Sequence, residues 1–119
     1  MKVYTLEFKW SVSRGQYTYG YNICSLYVNG KKVSSCNGGG YDMQGTVFGD
    51  WIEKEFQNDI KKLDPDEYYG MRIYENKVIV DGACGFSSVE SIVKALGYKV
   101  RFEQSTSKNR QLALMIKEN

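Results

Sequence analysis

Histidine is absent from this chain. That removes Ser-His-Asp and Cys-His catalysis, histidine-ligated zinc and imidazole acid–base chemistry. Cysteine is scarce: Cys24, Cys36 and Cys84 are an odd number without CxxC spacing. They cannot complete an all-cysteine tetrahedral zinc site within one chain, and they read as free thiols in a reducing compartment. No apolar run approaches the roughly 20 residues of a membrane span. The opening MKVYTLEFKW alternates apolar and charged residues where a signal peptide carries an apolar block. The expectation is a cytoplasmic protein without membrane contact. Excess charge is missing too. Sixteen basic residues against fourteen acidic leave a net +2, too little to draw nucleic acid by bulk charge and far from the acidity of a DNA mimic.

What is present fits an ordinary globular domain. The 119 residues are 42% hydrophobic and 25% charged, enough for one modest core. No linker, repeat or low-complexity segment divides them, so residues 1–119 read as a single domain. Ten tyrosines stand out, and tyrosine serves contact surfaces as readily as cores.

Residues 2–12 alternate, with Tyr4, Leu6, Phe8, Trp10 and Val12 on one parity, which predicts a half-buried antiparallel strand. Residues 21–28 predict a second strand and 31–36 a third. Asn29-Gly30 between them tolerates the positive φ of a type I′ turn. Phe48, Ile52, Phe56, Ile60 and Leu63 then recur at helical spacing. Glu53, Lys54, Gln57, Lys61 and Lys62 take the opposite face, so an amphipathic helix of about four or five turns is expected, ending before Asp64-Pro65. Residues 71–75 and 78–81 read as short strands around Asn76-Lys77. Ser87 and Glu90 fit a capping box for a second helix. A final hairpin pairs 98–103 with 111–117. The order is β-β-β-α-β-β-α-β-β: an α+β fold, mainly an antiparallel sheet with two helices on one face.

Three stretches could carry function. CNGGGYDMQG (36–45) places Gly38, Gly39 and Gly40 at a strand-to-helix corner, where free amides could cradle an anion. No GxGxxG or P-loop pattern is present, however, and Asp42 is placed to cap the helix, which would occupy those amides. Gly45 and Gly49 lie four apart on one side of that helix. Each costs about 1 kcal/mol against alanine, so something passes close there, a neighbouring strand sooner than a ligand or a partner's backbone. DGACGFSS (81–88) sets Cys84 before a helix, where a thiol's pKa falls. With no histidine its base would be a carboxylate, a lysine or water, and the plain reading is a small cysteine in a tight corner. RGQYTYGYN (14–22) gathers Arg14, Tyr17, Tyr19 and Tyr21, the tyrosines on one strand parity. Arginine beside aromatics suits single-stranded nucleic acid or a protein hot spot, and tyrosine rings also cover cores. Lys31 and Lys32 could extend a basic surface, although lysine pairs on turns are commonly just solvated. No calcium loop appears among the acids, and no metal or cofactor is expected.

Two blocks, TYGYNICSLYVNGKKVSSCNGGGYDMQGTVFGDWI (18–52) and DGACGFSSVESIVKALGY (81–98), resemble a family of small hypothetical proteins of tailed phages and prophages. Together they span roughly half of the chain. Longer members carry a cysteine-containing insertion between the blocks. Here that region, 64–80, is short, so no metal role of the insertion carries over. The resemblance implies a phage accessory gene, a class that includes nucleic-acid-handling proteins and inhibitors of host defences such as anti-CRISPR proteins. It also suggests that the two glycine–cysteine corners pack together and that CNGGGYDM is architecture.

The expected function is therefore a non-enzymatic protein that occupies a macromolecular surface, a host or phage protein sooner than nucleic acid. Arg14, Tyr17, Tyr19, Tyr21 and Tyr41 are the expected anchors, with a homodimer through a sheet edge as a further expectation. The alternatives are a nucleic-acid module using the same loop with Lys31 and Lys32, and a thiol or small-ligand enzyme centred on Cys84.

Overall fold

The computed structural model describes residues 1–12, 20–38, 42–105 and 107–117. The fold is α+β, and the strands and helices follow in the expected order. A five-stranded antiparallel sheet has the spatial order β3-β2-β1-β7-β6. Its strands are β1 (Lys2–Ser11), β2 (Ile23–Val28), β3 (Lys31–Asn37), β6 (Tyr98–Phe102) and β7 (Arg110–Lys117). The short strands β4 (Met71–Tyr74) and β5 (Lys77–Val80) form a separate two-stranded hairpin, where a contribution to one sheet was expected.

The period-2 pattern of β1 sets the two faces of the sheet. Tyr4, Leu6 and Phe8 point into the core, joined from the neighbouring strands by Cys24, Leu26, Val28, Ala113, Met115 and Tyr98. Helix α1 (Met43–Glu55) buries Val47, Phe48, Trp51 and Ile52 against that face, and α3 (Phe86–Ala95) adds Val89, Ile92 and Val93. Aromatic rings bind the layers together. Phe48 stacks on Phe86 at 4.9 Å between centroids, while Tyr4 meets Trp51 edge-on at 5.3 Å. The β2–β3 turn has positive φ at Asn29 (51°) and Gly30 (84°), the signature of type I′. Between β2 and β3 the register slips at Leu26–Tyr27, leaving Val33 of β3 as an extra residue that packs on the core edge.

The two corners meet. A Cβ built on Gly45 would lie 2.3 Å from the carbonyl oxygen of Gly82 and 2.8 Å from the amide of Phe86. A Cβ on Gly82 would in turn strike the backbone of Gly45 and Thr46. Gly49 faces the same turn, within 3.1 Å of Gly82 by the same measure. Asp42 closes the junction. One carboxylate oxygen accepts from the amide of Gly45 at 2.8 Å and caps α1; the other accepts from the amide of Phe86 at 2.8 Å and caps α3. Gly85, with φ 133° and ψ 146°, turns the chain into α3 in a region that is essentially glycine's alone.

Three expectations are corrected. Ser87 does not cap α3, because the helix already begins at Phe86, whose amide Asp42 holds; Ser87 lies inside the helix, where its carbonyl accepts from the Ser91 hydroxyl at 3.1 Å. The first helix does not run unbroken to Leu63. It breaks at Phe56 (φ −111°, ψ 24°), and a short α2 (Gln57–Ile60) follows. The spacing Phe56–Ile60 is still four, so the apolar ladder reads straight through the break. Glu53 and Gln57 also leave the solvent face to which their polarity assigned them. Gln57 accepts from the amide of Val78 at 2.7 Å and donates to its carbonyl at 3.0 Å, and Glu53 accepts from the amide of Val80 at 2.8 Å. Two side chains one helical turn apart thus take the place of a strand along β5.

On helix propensity alone Gly45→Ala gains about 1 kcal/mol. With backbone on both sides and no flexible atom to yield, it is expected instead to cost about 3 kcal/mol. Asp42→Ala loses two caps, at about 1 kcal/mol each, and Asp42→Asn keeps one acceptor and loses about half as much. Urea unfolding midpoints of the three variants check both statements.

Candidate binding surface

The helices cover one face of the sheet, and its other face is open among the described residues. Strand pairing places Val3, Thr5, Glu7 and Lys9 of β1 there, opposite Ile116, Leu114, Leu112 and Arg110 of β7. Tyr27 of β2 pairs with Glu7, and Lys99 and Arg101 of β6 pair with Ile116 and Leu114. Val3, Leu112, Leu114 and Ile116 form an aliphatic stripe with no helix over it. Val3 is 41% exposed and the three β7 residues are half-buried by their neighbours alone. Thr5, Glu7, Tyr27, Leu112 and Leu114 line a hollow of about 250 Å³ on this face.

A polar cluster sits beside the stripe. Glu7 accepts Lys9 at 3.3 Å on one carboxylate oxygen and Arg110 at 3.1 Å on the other. The Lys9 ammonium also lies 4.7 Å from the centroid of the Tyr27 ring. Each contact is partly exposed and contributes little to stability. Together they hold one aromatic ring and two cations in a set arrangement. Lys9, Lys32, Lys99, Arg101 and Arg110 share this face with Glu7 and with Glu103, which pairs with Arg101 at 3.2 Å, so cations outnumber acids here more than in the chain as a whole.

The residues singled out in the sequence are scattered. Arg14, Tyr17, Tyr19, Gly39, Gly40 and Tyr41 lie outside the described residues. Tyr21 is 45% exposed and lines a hollow at one end of the sheet with Trp10, Lys108 and Arg110. Lys31 and Lys32 follow the turn at the far end of β2, about 20 Å away over six residues at the rise of a strand. The structure does not join them to Tyr21. Lys32 faces Tyr27 and Lys31 faces Val28. Gly38 follows β3, with its amide bonded to the Asn22 carbonyl at 2.9 Å. Asp42, Gly45 and Gly49 belong to the helix junction, where the amides of Gly45 and Phe86 are already occupied by Asp42.

The open face leaves little local trace in the sequence. Its signal was in LALMI (112–116), where both parities are apolar. A strand with one solvated face alternates; one that is apolar on both sides asks for cover on both.

The thiols differ sharply. Cys84 is exposed on the turn at Gly82–Cys84, where Asp81 caps the amide of Ala83 at 3.1 Å. Cys24 is fully buried opposite Cys36, and burial, with the Cys36 and Asp42 charges adding to it, pushes its thiol up from 9.0 to about 12. Acidic residues are dispersed: among the described residues no three potential metal ligands come together. No helix there is long and apolar enough to cross a membrane.

Iodoacetamide at about pH 8 is expected to modify Cys84 and spare Cys24 until denaturant is added, as peptide mass mapping would show. The Cys24 contribution to stability is complete below pH 9.0 and is lost as pH rises toward about 12, because the unfolded chain releases that proton first. No family model, curated protein or solved structure matches this chain.

Proposed function

We propose that the chain is a non-catalytic binding protein that occupies the surface of a protein partner through the open face of its sheet. The observation that carries this is the uncovered stripe Val3, Leu112, Leu114 and Ile116. Aliphatic surface offers no chemistry; it contributes by leaving water, at about 25 cal/mol per Å² buried. The surrounding cations orient a partner and favour one with acidic residues around its apolar centre. In the phage setting implied by the two sequence blocks, the partner is a host defence complex and the protein its inhibitor, in the manner of an anti-CRISPR. The Tyr21 end of the sheet adjoins this face through Arg110.

A second reading rests on Lys9 above Tyr27 and on the basic bias of the face. A single strand of RNA or DNA could run across it, with phosphates on the cations. Aliphatic side chains make poor stacking platforms for bases, which favours protein.

The deciding variant is Leu114→Asp, which leaves the core untouched because Leu114 points away from it. Immobilised wild-type chain is expected to retain a host protein in stoichiometric amount. Leu114→Asp should weaken that binding at least about 30-fold, the equivalent of a hot-spot loss of about 2 kcal/mol, with the unfolding midpoint kept. Equal retention by both proteins overturns the reading. Tight binding to labelled single-stranded RNA or DNA that falls steeply between about 50 and 200 mM salt would replace it with the nucleic-acid module.

A further inference from the structure

The hairpin β4–β5 has two outer edges, and they are treated differently. Along β5, the amide and carbonyl of Val78 and the amide of Val80 are taken by Gln57 and Glu53. Because the polar groups of Val78 point away from β4, its partner Ile73 forms a non-hydrogen-bonded pair with it. The amide and carbonyl of Ile73 therefore point outward, along the free edge of β4. Among the described residues no strand pairs there. The other sheet edges are guarded: β3 carries Lys31, Lys32 and a bulge, and β6 carries Lys99 and Arg101. The edge of β4 is instead flanked by large exposed side chains, with Tyr69 75%, Ile73 62% and Tyr74 61% exposed.

We infer that this edge is a self-association surface, on which a second copy of the chain adds its own β4 in antiparallel register with Ile73 on the two-fold axis. The register is self-complementary. Each Ile73 exchanges both backbone hydrogen bonds with the other, and Arg72 of each copy comes opposite Tyr74 of the other. Arg72 and Tyr74 lie on the same face of the hairpin, since they pair with Ile79 and Lys77. Each guanidinium thus meets an aromatic ring, twice by symmetry. A shift of one residue would not do this: it would bring Arg72 opposite Ile73 and turn the outward amides out of line. The result is a four-stranded sheet whose outer edges are the two β5 strands, each already closed by α1 and α2. Such a pairing ends at a dimer. With four residues a side the contact is small, so the dimer is of micromolar class. It is separate from the open face of the large sheet and does not depend on it.

Sedimentation velocity over roughly 1 to 300 µM, the range for a small interface, is expected to show monomer passing to dimer and no larger species. Ile73→Pro removes the outward amide at an edge position where proline is tolerated, and should leave a folded monomer throughout. Should that variant not fold, Ile73→Lys sets like charges across the axis and should give the same result. Paired Ile73 Cα atoms would lie about 5.5 Å apart, within disulfide reach. In a Cys84→Ser background, Ile73→Cys should therefore oxidise to a linked dimer, and Ile79→Cys, on the covered strand, should not. A chain that stays monomeric at all these concentrations overturns the inference, as does a dimer that neither Ile73→Pro nor Ile73→Lys weakens.

Discussion

The helical layer hangs on a contact between two stretches of backbone with no side chain between them. Gly45 and Gly82 let α1 lie directly on the turn that leads into α3. Only this proximity lets one carboxylate, Asp42, reach first-turn amides of two helices whose starts are more than 40 residues apart in the chain. Two positive helix ends that would repel each other share one negative charge. The aromatic packing depends on the same contact, since Phe86 is the residue that Asp42 holds, and Phe86 is the ring on which Phe48 stacks.

Much of the fold was legible because local signals agreed with one another. The alternation in β1, Asn29-Gly30 and the Asp64-Pro65 stop each name a local geometry, and each has its place in the structure. The paired helix glycines also said correctly that something passes close. What they could not say is which backbone it is, because Gly82 announces nothing by itself. The misreadings share a cause. Ser87 looked like a cap because its own neighbourhood allows it, and Glu53 and Gln57 looked solvated because their side chains are polar. In each case a partner distant in sequence decided the matter: Asp42 for the first, Val78 and Val80 for the others.

The candidate surface was harder to see for a different reason. Tyrosine and arginine cluster in one short stretch, 14–22, and so give a local signal. The open face is spread over five strands, and no segment shows more than a part of it. Glu7, Lys9 and Tyr27 look like an ordinary polar parity until pairing brings them together with Arg110 and Leu112. The one local trace was the doubled apolar parity of β7, and it is informative only once β7 is known to stand beside the central strand.

That position has a consequence for how the molecule comes together. β1 lies between β2 and β7, so the first strand of the chain is completed on one side by a local hairpin neighbour and on the other by the seventh strand, about a hundred residues later. Until β7 arrives, the backbone of β1 has a bare edge and Leu6 lacks Ala113 beside it. The sheet closes by a pairing of high contact order, which places this fold among the slower small domains. During synthesis its first strand is thus the last to be finished, and the carboxy-terminal hairpin acts as the latch of the whole sheet.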